Sequence, residues 1–404
     1  MRAVKGIWYL SAGIVLLVAG CSGDGSSRIS PPEGIVGGRF GSSVAASGSL
    51  GVIGSPGSNG AGAVYVYDLD NGPKVIGEIL PEAAVEGDDF GSAVGLAPNL
   101  LVVGAPLHEH EGFIAGAAFV YHRDDDGAWQ EDAILVSDAA GDLDYFASSL
   151  AVGREWIAIG SPGDDERGSN AGAVFVFGEP AIGWALQEKL TAPDAGPGDR
   201  CGSSVAMFED RILVGCPHGF GSAIQSGSAY LFRLSATSFA LEHEFSPPSD
   251  ETGQLFGSAV GISERGVFVG APGASASHPD GSVHIFSTDG SSWQSIEILS
   301  AGDQVASRGF GAVLHLDDDL LVVGAQRMEG EHLAPGSAYV FGLANDSWTL
   351  ATRLRGNDID RADGFGSSVA VQDGHVLVGA AGDAQGGSNA GAAYHFVESG
   401  TDRK

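Results

Sequence analysis

One unit is written seven times along this chain, and that repetition limits the fold more than any other feature. Its opening motif, Phe-Gly-Ser-Ser-Val-Ala or a variant, starts at Phe40, Phe90, Phe146, Cys201, Phe256, Phe310 and Phe365, with gaps of 50, 56, 55, 55, 54 and 55 residues. A single period of that length suits four short strands per unit and a ring or stack of like sheets. Each unit keeps one order: the motif, a turn, an apolar run ending near Gly-Ala-Pro such as Leu100 to Pro106, a variable loop, a Gly-Ala-led strand such as Gly116 to Tyr121, and a segment often opened by Trp.

A propeller explains why the motif is so small. Where blades converge on a channel, the first strand is expected to hold Gly, Ser, Ala and Val, because larger side chains would collide. The unbroken apolar run reads as a second strand covered on both faces by neighbouring blades. Aromatics further out, such as Tyr65, Phe119, Phe175, Tyr230, Trp129, Trp184, Trp293 and Trp348, are read as packing between blades. The 64 glycines fit many tight turns, and helical periodicity is missing from almost the whole chain.

At Phe-Gly, Val-Gly-Ala-Pro and Gly-Ala the chain resembles the FG-GAP repeat family, best known from the seven-bladed headpiece of integrin α subunits. The resemblance spans roughly residues 23 to 397 and implies an all-β, seven-bladed propeller of four-stranded antiparallel blades. It also implies calcium in Asp-x-Asp/Asn-x-Asp-Gly-x-x-Asp turns between first and second strands. None of the seven turns here has that ligand count. Asp317-Asp318-Asp319 is the densest, and as consecutive turn residues they are expected to point apart into solvent, as are Asp124-Asp125-Asp126. No metal or other cofactor is therefore expected.

The start of the chain differs in kind. Arg2 and Lys5 precede an apolar stretch from Gly6 to Val18, too short to span a bilayer comfortably and arranged like an export signal. Val18-Ala19-Gly20-Cys21 resembles the lipobox of bacterial lipoproteins, which implies a signal peptide over 1–20 and lipidation at Cys21. Ser22 in place of Asp then implies an outer-membrane lipoprotein, periplasmic or surface-exposed, tethered by lipid alone. A net charge of -31 disfavours nucleic acid as a partner.

The propeller occupies 21–397, with 398–404 as a tail. The seventh unit has no fourth strand of its own. Counting from the motif places residues 23 to 30 where the other units carry theirs, so an N-terminal strap could close the ring; a loose tether beside a three-stranded blade is the alternative. Cys201 and Cys216 depart from the motif within one blade and would lie nearly opposite on adjacent strands. Export makes a disulfide a candidate, with two separate buried thiols as the alternative.

Loops joining second to third and fourth to first strands emerge on one face and vary most. They carry His108, His110, Asp164, Asp165, His218 and His332 as ligand-face candidates. His108 to Glu111 is not expected to converge on a transition metal. Asp88, Asp144, Asp199 and Asp363, each two residues before the motif position, are read as acceptors for backbone N–H groups in turns. No hydrolase, nucleotide-binding or metalloprotease signature occurs, so an enzyme is not expected. The expected role is a monomeric surface module that binds a protein or carbohydrate and serves in adhesion. A scaffold in an outer-membrane assembly, or a propeller hydrolase or lyase, are the rival readings.

Overall fold

The computed structural model describes residues 26–31, 36–137, 141–178, 183–219, 226–235, 237–248, 252–273, 277–302, 309–326, 335–360 and 362–397. The signal segment, Cys21, the 398–404 tail and His332 lie outside them.

Strand β1 (Ser26–Ile29) comes first. The first blade follows with β2 (Ser43–Ser47), β3 (Leu50–Ser55), β4 (Ala63–Asp68) and β5 (Lys74–Ile79). The second has β6 (Ala93–Ala97), β7 (Leu100–Ala105), β10 (Ala117–Arg123) and β11 (Trp129–Leu135), with a small hairpin, β8 (Glu109–His110) and β9 (Phe113–Ile114), in its loop. The third is β12 (Ser149–Val152), β13 (Trp156–Ser161), β14 (Ala173–Gly178) and β15 (Ala185–Leu190). Then come β16 (Ser204–Phe208), β17 (Arg211–Cys216), β18 (Ser228–Ser235) and β19 (Ser238–Phe245), and β20 (Ala259–Ser263), β21 (Gly266–Ala271), β22 (Ser282–Thr288) and β23 (Trp293–Leu299). The sixth is β24 (Phe310–Asp317), β25 (Leu320–Ala325), β26 (Ser337–Ala344) and β27 (Ser347–Leu354), and the seventh begins with β28 (Phe365–Gln372), β29 (His375–Ala380) and β30 (Ala392–Val397).

These form seven four-stranded antiparallel sheets, and each inner strand packs on the next around a closed ring, with β28 against β2. The protein is an all-β, seven-bladed propeller. β1 completes the seventh sheet in the order β1-β30-β29-β28, pairing Ser26 with Phe396 and Ile29 with Ala393. Six outer strands carry a bulge at one equivalent step, such as Val66/Tyr67 and Val340/Phe341, which twists the exposed edge away from further pairing. The core lies between blades: Phe40, Tyr65 and Tyr67 of the first pack on Leu377 and Ala393 of the last.

The motif is a device for joining blades. The backbone N–H at each motif position donates to the carbonyl just before the Gly-Ala strand of the preceding blade, at 2.9 to 3.0 Å in all seven cases, including Phe40 to Ala390 across the closure. The Val-Gly glycine of each second strand leaves no room for a Cβ. At Gly54 it would overlap the Gly91 carbonyl oxygen, and the same relation recurs around the ring to Gly379 on Gly41. The fourth motif residue, where it is Ser, adds a bond: Ser43, Ser149, Ser204 and Ser368 each donate to that next-blade carbonyl at 2.8 Å.

The expectation of a uniformly small lining is corrected. Lower on the inner strands stand Leu96, Leu150, Met207, Phe208, Leu314 and Leu316. Three of them are accommodated because a glycine faces them from the adjoining blade: a Cβ at Gly153 would crowd the Met207 sulfur, and one at Gly261 both Leu314 and Leu316. At those junctions a large residue meets a small one, which keeps packing dense without collision.

Candidate functional site

The loop-rich face is built on one turn repeated seven times. The residue just before each motif position has a left-handed backbone: Arg39 (φ 53°), Asp89 (58°), Tyr145 (53°), Arg200 (55°), Leu255 (57°), Gly309 (88°) and Gly364 (68°). Side chains rarely adopt this region, so each such turn is held by other contacts. Its carbonyl accepts the backbone N–H three residues on in all seven blades. In five it also accepts a Ser hydroxyl at 2.6 to 2.8 Å, as Ser42 to Arg39 and Ser203 to Arg200. Neighbouring turns touch, since Arg39 Nη2 lies 2.7 Å from Asp89 Oδ1. A constant backbone thus presents Arg39, Asp89, Tyr145, Arg200 and Leu255, all at least partly exposed, at the loop-rich end of the inner strands.

Beneath these, the aspartates two residues before the motif position clamp the incoming loops. Asp88, Asp144 and Asp199 accept from the N–H of Val85, Gly141 and Gly196 at 2.7 to 2.9 Å, and Asp363 accepts from Asp360. The bond reaches three residues backward. Burial raises the pKa of Asp144 and of Asp363 above the ordinary carboxylate value, with nearby Asp164 and Asp383 respectively adding to the effect.

The ligand-face candidates divide. Asp164 is buried, and its carboxylate is taken by Lys189 Nζ at 2.7 Å and the Glu166 N–H at 3.1 Å. Burial disfavours charge on Lys189, yet Asp164 and Glu166 outweigh it and hold the ammonium above its ordinary value. Asp165 is exposed and accepts the Asn170 N–H at 2.7 Å. His108 Nδ1 meets Asp88 Oδ2 at 2.6 Å while its ring edge packs on Phe119. His110 lies in β8, and among the described residues neither histidine belongs to a cluster of three ligating side chains. His218 is half-buried beside Asp199 and Arg200; burial, then the Arg200 charge, lowers its affinity for a proton.

Blade seven repeats the buried acid of blade three. Asp383 is fully buried, Arg28 Nη2 of β1 lies 2.6 Å from its Oδ1, and Arg28 Nε lies 3.2 Å from Asp358. Arg28 pairs with Tyr394 as Lys189 pairs with Phe175, so the two cations hold equivalent outer-strand positions.

On the opposite face, the Asp317–Asp319 turn is not merely a solvated tip. Asp317 receives the Asp373 N–H at 2.7 Å and the Gln372 amide at 3.1 Å from the next blade, while Asp319 pairs with Arg265 of the previous one at 2.7 Å. Its carboxylates diverge toward different blades. Among the described residues no three His, Cys, Asp or Glu side chains gather as a metal site. Cys201 and Cys216 are joined by a disulfide with Cα atoms 4.0 Å apart.

A family model described as FG-GAP repeat matches residues 26–67, 76–121, 129–177, 184–232, 293–341 and 348–396. The chain belongs to the FG-GAP repeat family. Each matched segment runs from an outer strand into the next blade's third strand. The FG-GAP blade built on Phe256 falls between two matches and folds like the rest. No curated protein matches the chain. Among solved structures, a protein from Lactobacillus plantarum studied by a structural genomics consortium is similar at TM-score 0.51 and 14% identity, covering 77% of this chain and 84% of its own. That likeness concerns fold alone.

Sequence reasoning missed the left-handed ring, because Arg, Tyr and Leu carry no turn signature and Asp89 stands alone among them. Gly309 and Gly364 at the same position were the available hint.

Proposed function

We propose that this FG-GAP propeller is a non-enzymatic binding module whose loop-rich face takes a protein or carbohydrate ligand. The ring of left-handed turns carries the reading: one backbone geometry, built seven times, displays five side chains of four different kinds in adjoining positions. Fixed scaffold with varied display is the arrangement recognition requires, because pre-organised side chains lose little entropy on binding.

The anchor proposal fits this orientation. β1 runs antiparallel to β30, so Ser26 sits beside Phe396 at the end away from the loop face. With lipid at Cys21, the chain to Ser26 reaches about 18 Å at most, which holds the opposite face toward the membrane and leaves the loops outward. A monomer in the outer membrane, without metal and serving in adhesion, is the form proposed.

The test is an array of proteins and glycans probed with the full protein, with calcium and with EDTA. Specific binding that Arg200→Glu weakens at least tenfold, indifferent to calcium, supports the reading. Array binding unaltered by both Arg200→Glu and Tyr145→Ala, or no binding at all, refutes it.

A further inference from the structure

The face opposite the loops carries slots between blades, lined by the first residue of one blade's second strand and, from blade two to blade six, by the aromatic at the start of the next blade's outer strand. Between blades three and four the slot is filled: Trp156 and Phe239 meet edge to face, ring centroids 5.8 Å apart. Between blades two and three the equivalent residues are Leu100 and Trp184, and a recess of about 800 Å³ opens there, lined also by Asn99, His122 and Arg154 and extending over the inner-strand turns of blades one and seven at Ser47, Gly48, Gln372 and Asp373. Between blades four and five they are Arg211 and Trp293, and a second recess of about 910 Å³ opens with Arg233, Glu242 and His243 on its walls.

Both recesses combine one half-buried indole with flat polar side chains. In the second, Arg211 grips Glu242 at 2.9 and 3.2 Å, Trp293 Nε1 donates to the same carboxylate at 3.3 Å, and Arg233 pairs with Asp210 at 2.8 Å. Charges therefore balance locally, on a chain whose net charge is -31. The first is balanced too, with Arg154 and Asp373 on its lining. Trp184 adds a separate sign: its Nε1 is buried and has no acceptor among the described residues. A buried donor without an acceptor is costly, and a turn of the indole that brought Nε1 to the recess would let a ligand oxygen supply one.

We propose that these two slots bind neutral oligosaccharides. The C–H face of a pyranose is apolar and matches an indole, while ring hydroxyls suit paired guanidinium, carboxylate and amide groups. Local neutrality disfavours phosphates and polycations, and both volumes lie in the range of small-molecule sites. The sites lie on the face opposite the ring of left-handed turns, so their failure would leave the loop-face reading untouched.

The experiment titrates the full protein with cellotetraose, maltotetraose and chitotetraose, following tryptophan emission and calorimetry. Saturable binding to at least one of them is expected at two sites per chain. Trp184→Leu and Trp293→Leu should each remove one site, and the double variant both. Should a Trp variant unfold by circular dichroism, Asn99→Ala and Arg154→Ala at the first slot and Arg233→Ala at the second are expected to weaken binding at least tenfold. No saturation up to about 10 mM of any of the three sugars, binding that survives the double variant, or preference for the acidic oligogalacturonate would overturn the proposal.

Discussion

Ser368 donates its hydroxyl to the carbonyl of Gly41 at 2.8 Å, joining residues 327 apart in sequence across the seam where the ring closes. The same oxygen is the one a Cβ on Gly379 would strike. Two substitutions at one seam therefore separate a lost bond from a steric clash. Ser368→Ala should cost about 1 kcal/mol, the usual worth of such a bond. Gly379→Ala should cost several times more, because the obstacle is backbone that cannot swing aside. Thermal unfolding of the two variants checks the order; equal losses would mean the seam is not close-packed. Blades two and five carry Ala93 and Ala259 where the bonding serines stand, and Ala93→Ser should gain stability if the hydroxyl reaches the Ala147 carbonyl.

Arg28 and Lys189 provide a matched pair for testing the strap. Each is the cation facing a buried aspartate, Asp383 and Asp164 respectively. Removing either leaves a buried carboxylate uncompensated, which typically costs about 3 kcal/mol or more. Arg28→Met and Lys189→Met should thus destabilise alike, but only Arg28→Met should speed proteolysis at the strap, since β1 has four residues and no short loop ties it to β30. Cleavage mapping by mass spectrometry decides. Equal protection of residues 26 to 29 in both variants would show that backbone pairing alone secures the closure.

Blade five places His284 where every other blade with a motif Phe has Tyr or Phe against that ring, as Tyr65 meets Phe40 and Phe119 meets Phe90. Burial, helped by His278, pushes its pKa down to about 4 from an ordinary 6.5. Above pH 6.5 the imidazole is neutral whether the chain is folded or not, so it imposes no penalty. Between pH 6.5 and 4 the unfolded chain takes up a proton that the folded one refuses, and stability falls, by about 2 kcal/mol at pH 5. His284→Phe should remove that part of the acid sensitivity. His395, also lowered to about 4, should keep a similar share in the variant. Denaturant titrations at pH 7 and pH 5 give the readout. An unchanged difference between the two would mean that His284 is protonated freely in the fold.

How much of this was legible in the sequence follows from what repeats. The blade count, the strand order and the path of the strap recur at a fixed offset from Phe40 to Phe365, so they could be read by counting. The roles of Asp317 and Asp319 could not, because each carboxylate is fixed by a residue of another blade, Asp373 or Arg265, whose proximity exists only once the ring has closed. Asp164 looked like a loop residue for the same reason: Lys189, which draws it inward, is 25 positions away on an outer strand. The inner lining was misjudged because Leu314 and Leu316 are allowed by Gly261 in the adjoining blade, a pairing invisible within any single repeat.

Cys201 and Cys216 replace the Phe and the Ala found at these positions in most other blades, and their disulfide spans 15 residues of sequence. Tyr230, the third-strand aromatic of this blade, consequently has no motif ring to pack against; its hydroxyl donates to Asp194 at 2.7 Å, as that of Tyr394 does to Asp358 in blade seven. A cross-link enclosing so short a loop should stabilise by about 3 kcal/mol, chiefly by restricting the unfolded chain. Reduction, or Cys201→Ala with Cys216→Ala, should therefore lower the denaturant midpoint measurably. Cys201→Phe with Cys216→Ala rewrites the blade with the residues of its neighbours. It should recover part of the loss through ring packing on Tyr230, and should make stability independent of reductant. If the Phe/Ala double variant proves no more stable than the double alanine, the blade has repacked around its bridge and no longer holds the cavity that the motif aromatic fills elsewhere.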